Sequence, residues 1–139
     1  MSPPVKVTDQ PKCAIKPARE YEDWFAGLDK AVKTEAIAKI KLLRLTGSDC
    51  PRPHADKLRY TGKVLPDPRE LRFSVDGDPW RILYVFHDGV AVLLAGGCKG
   101  GSGKEADFYA RLFHDGETVF KAYKARLAAA KLKGGPGKK

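Results

Sequence analysis

The sequence predicts an α+β domain in which an N-terminal helical hairpin packs on a small antiparallel sheet and a further helix closes the chain. Three observations carry this. Two Asp-Gly dipeptides, Asp76-Gly77 and Asp88-Gly89, separate three apolar runs rich in β-branched and aromatic residues; a helical apolar period covers residues 21–46; and that period returns after residue 107. Asp-Gly between such runs is a strong hairpin signal, because both central residues of a type I′ turn take positive φ.

Residues 1–11 include three prolines and are expected as a loose lead-in to a domain spanning 12–133, with 134–139 a basic tail that is disordered by composition. Lys12–Lys16 fits a short edge strand between Pro11 and Pro17. Tyr21, Trp24, Phe25 and Leu28 then follow helical spacing, and Gly27 and Asp29 mark a break. A second helix from Lys30 to Thr46 carries the stripe Val32, Ala36, Ile37, Ile40 and Leu43, and Gly47 supplies the stop. Ser48–Pro68 reads as a long proline-punctuated loop containing Arg52, His54, Asp56, Lys57, Arg59, Tyr60 and Lys63; loops of that length are usually functional or disordered. The meander follows as Arg69–Val75, Trp80–Phe86 and Val90–Ala95. After the glycine-rich stretch Gly96–Gly103, a helix over Asp107–Leu112 is expected to be interrupted at Gly116 and to resume over Glu117–Lys133.

Two-residue turns fix the register. Phe73 then faces Trp80, and Arg72 lands opposite Arg81; across the second turn Leu83 faces Leu94 and Arg81 faces Gly96. Pro79 cannot donate to the ladder, so it must fall at a non-bonded position or force a bulge. Like charges directly opposite in a sheet are destabilising. The arginine pair, with Lys99 close behind it, therefore points to an anion pocket; the alternative is that each arginine pairs with Asp67, Glu70 or Asp78. On the pocket reading only a bound phosphate relieves the repulsion, and removal of either arginine leaves stability level or slightly raised.

At 139 residues the chain is expected to form one domain. Its formal charge of +9 is concentrated at the ends, with seven basic and no acidic residues over 121–139. Such ends favour nucleic acid or anionic surfaces in a sequence-independent way. Cys13, Cys50 and Cys98 make no framework for disulfides, and no apolar run is long enough to span a membrane, so a soluble cytoplasmic protein is expected. The glycine-rich stretch is not a phosphate loop: Cys98 stands where the first glycine is required, and Glu105 stands where the magnesium-binding hydroxyl belongs. His54, His87 and His114 show no metal-ligand spacing, so no metal site is expected, and His54 is the candidate for proton transfer near neutral pH.

The segments Arg52-Pro53-His54-Ala55-Asp56-Lys57-Leu58, Arg69-Glu70-Leu71-Arg72-Phe73, Pro79–Phe86, Leu94–Lys99 and Phe108-Tyr109 occur in an order and spacing that resembles the RelE/ParE superfamily of type II toxins, in its HigB-like branch. The resemblance covers roughly residues 12–127. It implies a RelE-like fold, ribosome-dependent mRNA cleavage through the 2′-hydroxyl without a metal or other cofactor, and a masking antitoxin, commonly a helix-turn-helix, HigA-like DNA-binding protein. By position Arg72, Arg81, Lys99 and Tyr109 fall on residues of the family's motifs; Arg72 and Arg81 are assigned to the scissile phosphate and Lys99 to neighbouring RNA, with Lys57 and Lys63 as further RNA-binding candidates and His54 as the candidate base. Tyr109 either stacks on a base or packs on the sheet. Cys98 departs from the Asp that many relatives carry before the lysine. A ParE-like inhibitor of DNA gyrase and a non-toxic binding protein are the alternatives on the same fold, since fold alone does not decide function.

Overall fold

The computed structural model describes residues 10–100 and 105–133. Its elements are β1 (Ala14–Pro17), α1 (Arg19–Ala26), α2 (Lys30–Thr46), β2 (Ala55–Lys57), β3 (Arg69–Val75), β4 (Asp78–His87), β5 (Val90–Cys98) and α3 (Glu105–Lys133). The sheet runs β1-β5-β4-β3-β2, with β1 parallel to β5 and every other pair antiparallel. This is the expected α+β architecture, consistent with a RelE-like fold. Most of the lead-in, residues 1–9, and the tail, 134–139, lie outside the described residues.

Both hairpins close as the Asp-Gly signals require. Asp76 and Gly77 have φ of 51° and 83°, and Asp88 and Gly89 have φ of 54° and 75°. Across the first turn Val75 faces Asp78, Phe73 faces Trp80 and Arg72 faces Arg81. Pro79 lies opposite Ser74, one step beyond the closing pair, where the β3–β4 ladder needs no donor, and its carbonyl accepts from the Lys99 N–H at 2.7 Å.

The second hairpin departs from the simple register. His87 to Tyr84 pair with Val90 to Leu93, but the register shifts between Leu83 and Tyr84, so Leu83 faces Ala95 and Arg81 faces Gly97. Leu94 is the extra residue of a bulge, a feature that a turn-based count cannot see. The fifth strand, β2, is also new: Ala55–Lys57 sits inside the supposed loop and pairs with Arg69–Leu71.

Strand alternation divides the side chains between two layers of helix. Leu71, Phe73, Trp80 and Ile82 share the face covered by α2, which packs on β3, and α1, which packs on β5. Val32, Ala36 and Leu43 of α2 are buried there, whereas Ile37 lies at the edge of the apolar stripe and is exposed. Trp24 reaches over β5 so closely that a Cβ on Gly96 would stand 2.3 Å from its ring.

Glu70, Arg72, Arg81 and Leu83 share the opposite face, toward α3, whose Leu112, Val119 and Phe120 are buried. Gly116 does not interrupt this helix. A Cβ there would meet Leu83 Cδ2 at 2.3 Å, so the glycine lets α3 approach the sheet. The long connection before β3 is tied to α3 by Tyr60, which donates to Glu117 Oε2 at 2.6 Å and accepts from the Val64 and Leu65 N–H groups at 3.1 and 3.2 Å.

Candidate functional site

Arg72 on β3 and Arg81 on β4 are directly opposite, as the first hairpin dictates. They are not left to repel each other. Glu70, two residues before Arg72 and therefore on the same face, places Oε1 3.4 Å from Arg81 Nε and Oε2 3.7 Å from Arg72 Nε. The expectation that only a bound phosphate relieves the pair is thereby corrected in favour of the alternative, pairing with Glu70. Glu70 and Arg81 are 4% and 5% exposed, so each is a buried charge that needs the other.

The carboxylate has a third partner. Tyr109 of α3 donates its hydroxyl to Glu70 Oε1 at 2.7 Å. Burial, then the Glu70 contact, pushes the Tyr109 phenol up to about 12, partly offset by Arg81. Arg81 also donates from Nη1 to the Trp80 carbonyl at 3.0 Å, while its buried Nε lacks hydrogen-bond geometry to any partner among the described residues.

Two clefts meet at Arg72. The first, about 350 Å³, is lined by Arg72, Arg81, His54, Lys39 and Ser74. Pairing of β2 with β3 brings His54 here, and its carbonyl accepts from the Arg72 N–H at 2.8 Å. Lys39 Nζ lies 2.6 Å from His54 Nδ1. An ammonium only donates, so Nδ1 accepts and a neutral His54 carries its proton on Nε2. The second cleft, about 670 Å³, is lined by Asp56, Lys57, Glu70, Arg72, Lys99 and Tyr109 among others. Lys99 stands 5.7 Å from the centre of the Tyr109 ring and 3.5 Å from Glu105.

The structure thus gathers Arg72, Arg81 and His54 at one cleft, and Lys57, Lys99 and Tyr109 at its neighbour. Lys63 lines neither. Tyr109 makes a polar tie to the sheet, which is more specific than either packing or stacking. Sequence reasoning missed Lys39 and Asp56; the latter lies 3.0 Å from Arg52 and 3.8 Å from Arg72, and its Arg52 hydrogen bond holds its carboxyl below the ordinary range. Glu70 was among the three acids named as possible partners of the arginines, and strand alternation, which puts it on their face, was the signal that selects it.

A further cleft, about 550 Å³, lies toward the Asp88-Gly89 end of the sheet, where Lys12 and Arg69 face Asp49 and Asp67 at 4.0 and 3.1 Å. Its charges are balanced, which sets it apart from the cation-rich pair of clefts. No group of three or more His, Cys, Asp or Glu residues that would hold a metal occurs among the described residues, and no helix there is long and apolar enough to cross a membrane.

The α+β architecture, with N-terminal helices, a five-stranded mixed sheet and a long C-terminal helix, is that of a RelE-like fold. The family model for phage-derived Gp49-like proteins (DUF891) matches residues 23–114, and the chain belongs to that family, part of the RelE/HigB-like toxin superfamily. Comparison with curated proteins and with solved structures finds no match.

Proposed function

We propose that this protein is the toxin of a type II toxin-antitoxin system and cuts mRNA on the translating ribosome, in the manner of the HigB-like branch. The observation that carries this reading is the direct opposition of Arg72 and Arg81 at a cleft that also holds His54. Cleavage through the 2′-hydroxyl moves that oxygen onto phosphorus, gathers negative charge on the phosphoryl oxygens and expels the 5′-oxygen. Preorganised cations stabilise such charge where it develops. Arg72 and Arg81 take that role, His54 exchanges protons with the reacting oxygens, and Lys57 and Lys99 hold neighbouring phosphates. Because Lys39 occupies Nδ1, His54 offers an N–H first, and a base role requires it to leave Lys39. Lys63 contributes to RNA binding only from outside both clefts. The partner that silences the protein is a helix-turn-helix antitoxin of the HigA kind.

The test is induction of the protein alone, followed by mapping of mRNA 5′ ends and assay of plasmid supercoiling in the same cells. New 5′ ends that vanish in an Arg81→Ala strain support the nuclease. Relaxed plasmid with intact transcripts moves the function to gyrase, and normal growth at full expression points to a non-toxic relative.

A further inference from the structure

The arginine pair is held together by a carboxylate that belongs to the protein. Glu70 is buried, shares one oxygen with Tyr109 and Arg81, and turns the other toward Arg72. It lines the larger cleft, whereas Arg81 lines the smaller one and Arg72, the more exposed of the two, lines both. Two guanidiniums against one buried carboxylate leave an excess of one positive charge. Asp56, the next acid, is 3.8 Å from Arg72 and closer to Arg52, so it compensates only in part.

We propose that Glu70 is a positioning residue that acts as an internal counter-ion: it keeps Arg72 and Arg81 assembled in the empty protein and weakens, by its own charge, the hold of the pair on a phosphate. This rests on the reading of the pair as a phosphate clamp. The physical reason lies in the distances. A charge this close to both guanidiniums, in a site of lowered dielectric, opposes an incoming anion through the same field that orients the donors. An apolar or neutral residue at position 70 would leave the clamp stronger for anions but unsupported without one. Tyr109 completes the device by fixing the carboxylate from α3, so the strand and the helix both bear on the arginine geometry.

The experiment uses the purified full-length protein, its Glu70→Gln and Glu70→Asp variants, and an Arg72→Ala control. Thermal melting is followed as inorganic phosphate is raised against chloride at matched ionic strength. Glu70→Gln is expected to melt lower than wild type in chloride and to recover in phosphate, with an apparent phosphate affinity raised on the order of tenfold, since an anion that binds only the folded state stabilises it. Glu70→Asp, which keeps the charge on a shorter arm, is expected to lie between them, and Arg72→Ala to lose the phosphate response. If Glu70→Gln fails to fold in chloride, phosphate should restore it and chloride should not. Equal phosphate responses in wild type and both variants, or a loss of stability that phosphate never repairs, would overturn the inference. No RNA enters this measurement. A large phosphate response in Glu70→Gln without transcript cleavage by wild type would remove the nuclease reading and leave the counter-ion standing.

Discussion

The Tyr109 hydroxyl donates to Glu70 Oε1 at 2.7 Å and so ties α3 to the strand that carries Arg72. Removing it strips a hydrogen bond from a buried carboxylate. Tyr109→Phe is expected to cost about 2 kcal/mol of stability, as for bonds to charged groups. Cleavage should fall as well, because the arginines lose the fixed orientation of their counter-ion. Denaturant unfolding and single-turnover assays on programmed ribosomes check the two effects separately; unchanged unfolding would show that the contact contributes nothing net.

The same phenol makes stability depend on alkaline pH. Its value is raised from 10 to about 12 in the folded protein, so the unfolded chain gives up that proton first. The stabilisation is complete below pH 10 and is lost as pH rises toward 12. Tyr21, Tyr84 and Tyr123 are shifted upward mainly by burial and add slopes of the same sign. Melting temperature should therefore fall between pH 10 and 12, less steeply in Tyr109→Phe. A wild-type profile that is flat across this window would contradict the burial of these phenols.

Arg81→Ala should reduce both catalysis and stability. Loss of one preorganised cation removes about 3–4 kcal/mol of transition-state stabilisation by analogy with an oxyanion donor. Breaking a buried pair costs about 3 kcal/mol in addition, reduced to the extent that Arg72 and Tyr109 still serve Glu70. Arg72 is more exposed, so Arg72→Ala should lose comparable activity with a smaller drop in melting temperature. The double variant should lose less activity than the sum, since the two act on one group. Cleavage that stays normal per folded molecule would make the pair structural only.

Gly96→Ala tests the close fit of Trp24 on β5. The added methyl would stand 2.3 Å from Trp24 Cη2, and moving an indole packed against Trp80 should cost about 1–3 kcal/mol, read by thermal melting. A neutral result would mean that Trp24 swings aside freely.

Lys121, Lys124 and Lys131 are exposed and share one side of α3. If they contact ribosomal RNA, their triple replacement by alanine should lower the slope of log affinity against log salt by about 2 and leave the cleavage pattern unchanged. An unaltered slope would assign these charges to solubility or to the antitoxin.

Much of the domain was legible because local chemistry decided it. The Asp-Gly turns, the positive φ at Gly47 and the periodic stripe of α2 settle their elements without help from distant contacts. The opposition of Arg72 and Arg81 followed from turn length alone. What escaped depends on tertiary context. β2 is three residues with no apolar alternation, and only its pairing with Arg69–Leu71 makes it a strand. The Leu94 bulge has no glycine at the extra position to announce it. Gly116 reads as a helix breaker until Leu83 is seen beneath it. Within the site, the arginines were visible as charges on one face, while the role of Glu70 required knowing that the face is buried.

The parallel pairing of β1 with β5 has a consequence for how this chain is born. Ala14–Pro17 hydrogen-bonds to Val90–Leu93, a partner that leaves the ribosome only after the intervening strands have been made. Contacts so distant in sequence are slow to close, and the edge strand has nothing to join until then. Tyr109 emerges later still. A nascent chain can fold the Asp76-Gly77 hairpin early and set its two arginines face to face, yet the helix that secures their counter-ion is synthesised only after all five strands. Completion of the site is thus postponed until every strand of the sheet and then α3 have left the ribosome.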